Sequence, residues 1–102
     1  MSSSEGSALS ALQIASHGKD RYPTPKAQAE KLVIEAAELL GAIAEHANSR
    51  THQRNHTMAE CPLIRGEAAD AGLSLYALCT KVGFDLIEVM RELVDRDQRR
   101  FA

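Results

Sequence analysis

Four carboxylates stand at helical intervals in this sequence, Glu35 and Glu38 in one segment and Glu67 and Asp70 in another. Three residues apart on a helix, the members of each pair lie on the same side. At about 100° per residue, the first segment carries an apolar stripe of Leu32, Ala36, Leu39, Leu40, Ile43 and Ala47. Glu35 lies at its edge and Glu38 one turn further along. The second segment repeats the pattern: Ile64, Ala68, Ala71, Leu75, Leu78, Cys79 and Val82 form the stripe, with Glu67 at the edge and Asp70 a turn later. Between Glu67 and Cys79 the only polar side chains are Glu67, Asp70 and Ser74. A helix apolar nearly all round is expected to be buried, so its one polar strip does not simply face bulk water. Carboxylates on such a strip need a cation. Hard oxygen donors with no soft ligand among them suit Mg²⁺ or Mn²⁺. Solvated surface acids are the plainer reading of Glu35 and Glu38 alone; all four together favour a metal site.

The elements that must hold these acids are well punctuated. Thr24-Pro25 supplies an N-cap and a proline at the first helical position, and the helix so begun runs to about Ala47. A third helix is predicted over Leu63 to Val82, stopped by Gly83. Asp85 with Glu88 three residues later forms a capping box for a fourth, reaching about Gln98. Ahead of these lies a short helix over Ser7 to Ser16, with Gly18 as its stop and a polar connection to Pro23. Asn48 to Pro62 shows no apolar period and reads as a polar loop. The expectation is an all-α domain over 1–102: a short helix and connection over 1–23, then the motif-bearing helices over 24–101.

Composition agrees. The 102 residues are 44% hydrophobic and 25% charged, within the range of one globular domain. Twelve basic against fourteen acidic residues leave a formal charge of −2, which argues against a basic nucleic-acid binder. No apolar run approaches the ~20 residues that span a bilayer, and Met1-Ser2-Ser3-Ser4-Glu5 lacks the features of a signal peptide. Two cysteines, Cys61 and Cys79, make no disulfide framework, so a cytoplasmic setting is expected. A domain this small buries a modest share of its own surface, which makes a helical oligomer sharing a core the default.

Glu35-Ala-Ala-Glu38, a gap of residues 39 to 66, and Glu67-Ala-Ala-Asp70 resemble the Glu-x-x-Glu…Glu-x-x-Asp signature of the MazG-like all-α nucleoside triphosphate pyrophosphohydrolases. Pro25 stands ten residues before Glu35, as in that family's entry to this helix. Glu38-Leu39-Leu40-Gly41-Ala42-Ile43, Gly83-Phe84-Asp85-Leu86 and Arg99-Arg100-Phe101 are similar to further family segments in the same order. The resemblance covers about Thr24 to Phe101. It implies a homodimer or homotetramer and Mg²⁺-dependent cleavage of a (deoxy)nucleoside triphosphate between the α and β phosphates, in a house-cleaning role. Glu35, Glu38, Glu67 and Asp70 would hold the metal, with a glutamate of the first pair as base towards the attacking water. Lys31, Tyr22, Lys81, Arg91 and Arg99 are the candidates for substrate contacts. Where the family carries a lysine and an asparagine in its last helix, this chain has Leu93 and Asp97.

Two other readings follow from the same residues. Lys31…Glu35…Glu38 and the Glu-Ala-Ala-Asp70 run are similar to phosphoribosyl-ATP pyrophosphohydrolase, against which stand the long 48–62 segment and the lack of Tyr-His after Asp70. Leu93 and Asp97 motivate a non-catalytic helical interaction module on the same scaffold. His52-x-x-x-His56, with His46 and Cys61 nearby, has zinc-like spacing but falls in the polar segment, where a mobile polar loop is the plainer reading and closing over a nucleotide is a role its length permits. Cys79, on the apolar stripe, reads as core.

Overall fold

Thr24 and Pro25 open the helix that organises the molecule. The Thr24 Oγ1 accepts from the Ala27 N–H at 3.1 Å, and the helix runs Pro25–Ala47. The structure, a computed structural model, describes residues 3–101. Residues 1, 2 and 102 of the expected domain lie outside them. Five helices follow in order: α1 (Ser3–Ser16), α2 (Pro25–Ala47), α3 (Arg50–Asn55), α4 (Pro62–Val82) and α5 (Leu86–Phe101), with no strand among the described residues. Among the described residues, no helix is long and apolar enough to cross a membrane. α4 stops where expected: Gly83 takes the left-handed conformation at φ 111°, and the Gly83 and Phe84 N–H groups both donate to the Cys79 carbonyl. At the start of α5, Asp85 Oδ1 accepts from the Ile87 and Glu88 N–H groups.

Two expectations about elements need correction. The 48–62 segment is not all loop, since it contains α3. Ser49 caps that helix by accepting from the His52 N–H, while Gln53 Nε2 donates to the His46 and Ala47 carbonyls at the end of α2. α3 buries no residue, so no apolar period marks it. The first helix begins at Ser3, not Ser7. Glycine is a poor helix former, but a Cβ at Gly6 would collide with the Tyr76 ring, so the missing side chain lets α1 lie close against α4 here. Ser10, itself buried, donates from Oγ to the Leu73 carbonyl across the same contact.

The body of the molecule is an antiparallel pairing of α2 and α4, with α1 packed on α4. The pairing turns most of the expected α2 stripe outward, whereas the α4 stripe keeps Cys79 buried and Ile64, Ala71, Leu75 and Leu78 half-buried. On α2 the buried residues are Gln28, Glu35, Ala42 and His46. Ala36, Leu40, Ile43 and Ala47 are exposed, and only Leu32 and Leu39 are half-buried. On α4 the buried residues are Ser74, Ala77 and Cys79, whereas Ala68 and Val82 are exposed. The small side chains Ala42, Ala77 and Cys79 let the helices approach, and polar groups fill the rest of the seam. Among the described residues, no large side chain is fully buried.

The apolar faces are left outside. α5 buries nothing, although Val89, Met90, Leu93, Val94 and Phe101 form a stripe along it. The radius of gyration is 16.3 Å, against about 13 Å for a globular chain of this length. The surface is 7212 Å², where a monomer of this mass exposes roughly 5,700 Å².

Candidate metal centre

One turn of α2 and the facing turn of α4 bring Glu35, Glu38 and Glu67 together, with one carboxylate oxygen of each within 4.8 Å of the others. Glu35 is buried, Glu67 half-buried and Glu38 exposed, so the trio opens to solvent on one side. Glu67 Oε2 is withdrawn from solvent and has no hydrogen-bond partner. Loss of hydration is the main reason the Glu67 carboxyl titrates above its ordinary 4.5, followed by Glu38 through hydrogen bonding and charge, then by Asp70 and Glu35. Hard oxygens at this spacing, one of them orphaned, fit a divalent cation of the Mg²⁺ or Mn²⁺ type.

Asp70 stays outside the trio. It is exposed, and it lines a neighbouring cavity together with Glu35 and Ser74. The expectation that the polar strip of α4 avoids water therefore holds for Ser74 and in part for Glu67, but not for Asp70, which is exposed although it stands between them in sequence.

The cavity, about 250 Å³, borders the trio through Glu35. Its other walls include His17, Lys19, Arg21, Tyr22 and Lys31. Lys31 Nζ lies 3.1 Å from Glu35 Oε1 and 5.7 Å from the centre of the Tyr22 ring. Its hydrogen bond to Glu35 holds the ammonium pKa above the ordinary lysine value. Lys81, also expected as a substrate contact, is used inside the fold: Nζ donates to Gln28 Oε1 at 2.7 Å and pairs with Asp20 Oδ2 at 3.0 Å. That bond lowers the Asp20 pKa. Gln28 Nε2 in turn donates to Ser74 Oγ at 2.8 Å in the buried seam, and Asp20 Oδ1 accepts from the Tyr22 N–H. The chain Ser74–Gln28–Lys81–Asp20 thus ties the 19–23 connection, with Tyr22, to both helices.

Arg91 and Arg99 lie exposed on α5, which touches the body chiefly through α1, and neither lines the cavity beside the acids. The histidines pack on one another, His46 against His56 at 5.3 Å between ring centres, and His46 Nε2 donates to the His56 carbonyl. Cys79 is buried, which raises its thiol pKa, as suits a core residue. Sequence reasoning missed Gln28, Lys19 and Arg21. The density of basic residues over His17–Arg21 was the available signal for the last two. No family model matches the chain, and no curated protein or solved structure is significantly similar to it.

The raised Glu67 pKa gives a signed expectation. A carboxyl that holds its proton more tightly when folded contributes stability below about 4.5, and that contribution is lost as pH rises through the raised value. In metal-free buffer, Glu67→Gln should therefore be more stable than the parent at neutral pH, with the two denaturation midpoints converging as pH falls towards 4.5. A parent that stays the more stable at pH 7 would contradict this.

Proposed function

We propose that this protein is a Mg²⁺-dependent nucleotide pyrophosphohydrolase of the MazG-like kind, cleaving a (deoxy)nucleoside triphosphate between its α and β phosphates to a monophosphate and pyrophosphate. The observation that carries the reading is the trio Glu35, Glu38 and Glu67 beside a cavity rimmed by His17, Lys19, Arg21 and Lys31. Acids that favour a cation thus adjoin cationic groups that favour an anion, the pairing a magnesium-bound polyphosphate requires. A bound ion would neutralise the phosphates and stabilise charge developing in the transition state. Glu38 is the proton acceptor for the attacking water, because it is exposed whereas Glu35 is held by Lys31. Tyr22, which lines the cavity, offers a stacking surface for a nucleobase. Asp70 supplies further negative charge at the rim.

The working unit in this reading is a homo-oligomer, with a dimer as its smallest form. The surface in excess of a monomer's is about 1,500 Å², comparable with the ~1,000–2,500 Å² per partner that obligate dimers bury. The exposed stripe on α5 and the outward residues of α2 are the surfaces that would be covered.

The test is pyrophosphate release from a panel of purine and pyrimidine triphosphates, each with and without Mg²⁺, alongside Mn²⁺ titration of the nucleotide-free protein. Release that requires the metal and yields the monophosphate is expected. Cleavage of phosphoribosyl-ATP alone would move the substrate assignment to that enzyme class. Mn²⁺ binding without cleavage of any nucleotide would leave a metal-binding interaction module, and neither binding nor cleavage would end the enzymatic reading.

A further inference from the structure

We infer that Lys31 is the resident counter-ion of the metal-free acid trio, and that a divalent cation entering the trio displaces its ammonium towards an anion in the adjoining cavity. This rests on the trio being the metal site proposed above. The geometry places Lys31 between two environments. On one side its Nζ is 3.1 Å from Glu35 Oε1, in a pair whose side chains keep only 26% and 10% of their exposure. On the other it lies 5.7 Å from the centre of the Tyr22 ring and lines the cavity with Lys19 and Arg21.

Glu35 cannot serve both cations fully. An ion held by the trio would take up the Glu35 oxygens and stand a few ångströms from the ammonium, where like charges in a partly desolvated site repel strongly. The half-buried stem keeps Lys31 in the neighbourhood, and the face of Tyr22 gives the released ammonium a favourable place. There its charge adds to those of Lys19 and Arg21. Cation and anion binding are therefore coupled through one side chain, and the coupling is reciprocal: each ligand raises the affinity for the other by the same factor.

The ordinary alternative is a helical i, i+4 ion pair that merely steadies Glu35. The two differ in sign. If Lys31 competes with the metal, Lys31→Gln binds Mn²⁺ more tightly than the parent; if it only steadies Glu35, the variant binds equally or less well. Calorimetric titration of Mn²⁺, and of methylenediphosphonate at saturating Mn²⁺, reads both halves. The expected result for Lys31→Gln is Mn²⁺ affinity raised at least about fivefold and diphosphonate affinity lowered at least about fivefold. Lys31→Arg, whose planar fork grips a carboxylate more firmly, should bind Mn²⁺ more weakly than the parent and serves as the second arm if Lys31→Gln does not fold. Unchanged or weakened Mn²⁺ binding in Lys31→Gln, unchanged diphosphonate binding, or tightened Mn²⁺ binding in Lys31→Arg overturns the exchange while leaving the metal site standing. Absence of Mn²⁺ binding in the parent protein removes the site itself.

Discussion

Alanine in place of Glu38 or Glu67 is expected to lower Mg²⁺-dependent pyrophosphate release by about three orders of magnitude, the rate equivalent of losing several kcal/mol of charge stabilisation. Each carboxylate is one of three whose oxygens come within 4.8 Å of one another among the described residues, so neither has a substitute in the trio. Asp70 lies outside that group and is exposed; Asp70→Ala should cost only about tenfold, as for a residue that tunes a metal site from beyond its ligands. Measuring kcat/KM across the three variants, with circular dichroism to confirm folding, separates the roles. Equal losses in all three would return Asp70 to the ligand set, and undiminished release in Glu38→Ala and Glu67→Ala would mean that the chemistry lies elsewhere. Because the Glu67 carboxylate is desolvated and crowded by like charge, its removal should leave the metal-free fold intact or more stable.

The second large effect concerns association. Leu93 is 46% exposed in the single chain, midway along a helix that buries none of its residues. Leu93→Glu should leave the fold of the isolated chain intact yet place a charge at the centre of the face proposed above to be covered, once per protomer in a two-fold dimer. Two central hot spots at ~2 kcal/mol each correspond to a dimer weakened by about a thousandfold. Light scattering coupled to size exclusion should show dimer or larger for the parent and monomer for the variant at micromolar concentration. Identical masses for the two would place the interface on another surface.

Much of the architecture was readable from local chemistry. Thr24-Pro25 and Gly83 mark helix ends by capping and by backbone conformation, which depend on neighbours in sequence and not on the rest of the fold. Glu35, Glu38 and Glu67 were identifiable because their intervals set them on facing sides of two helices. The orientation of the α2 stripe was not readable. The rule that the apolar side turns inward assumes that a chain covers its own apolar surface, whereas here Leu40 lies 68% and Ile43 36% exposed while Gln28 and His46 are buried. α3 escaped because a helix that buries nothing leaves no period in the sequence. Lys81 looked like a free cation because its partners, Asp20 and Gln28, lie 61 and 53 residues away in sequence.

The division between a polar seam and apolar outer faces bears on how such a protein can change over generations. The spacing of the acids depends on the Gln28–Ser74 hydrogen bond and the small residues between α2 and α4, none of which belongs to the outward surface. Drift on the outer faces can therefore alter the surfaces open to association without moving a carboxylate, whereas one larger residue at Ala42 or Ala77 would spread the acids apart. Descendants of this sequence should diverge fastest on the outer faces and slowest along the seam.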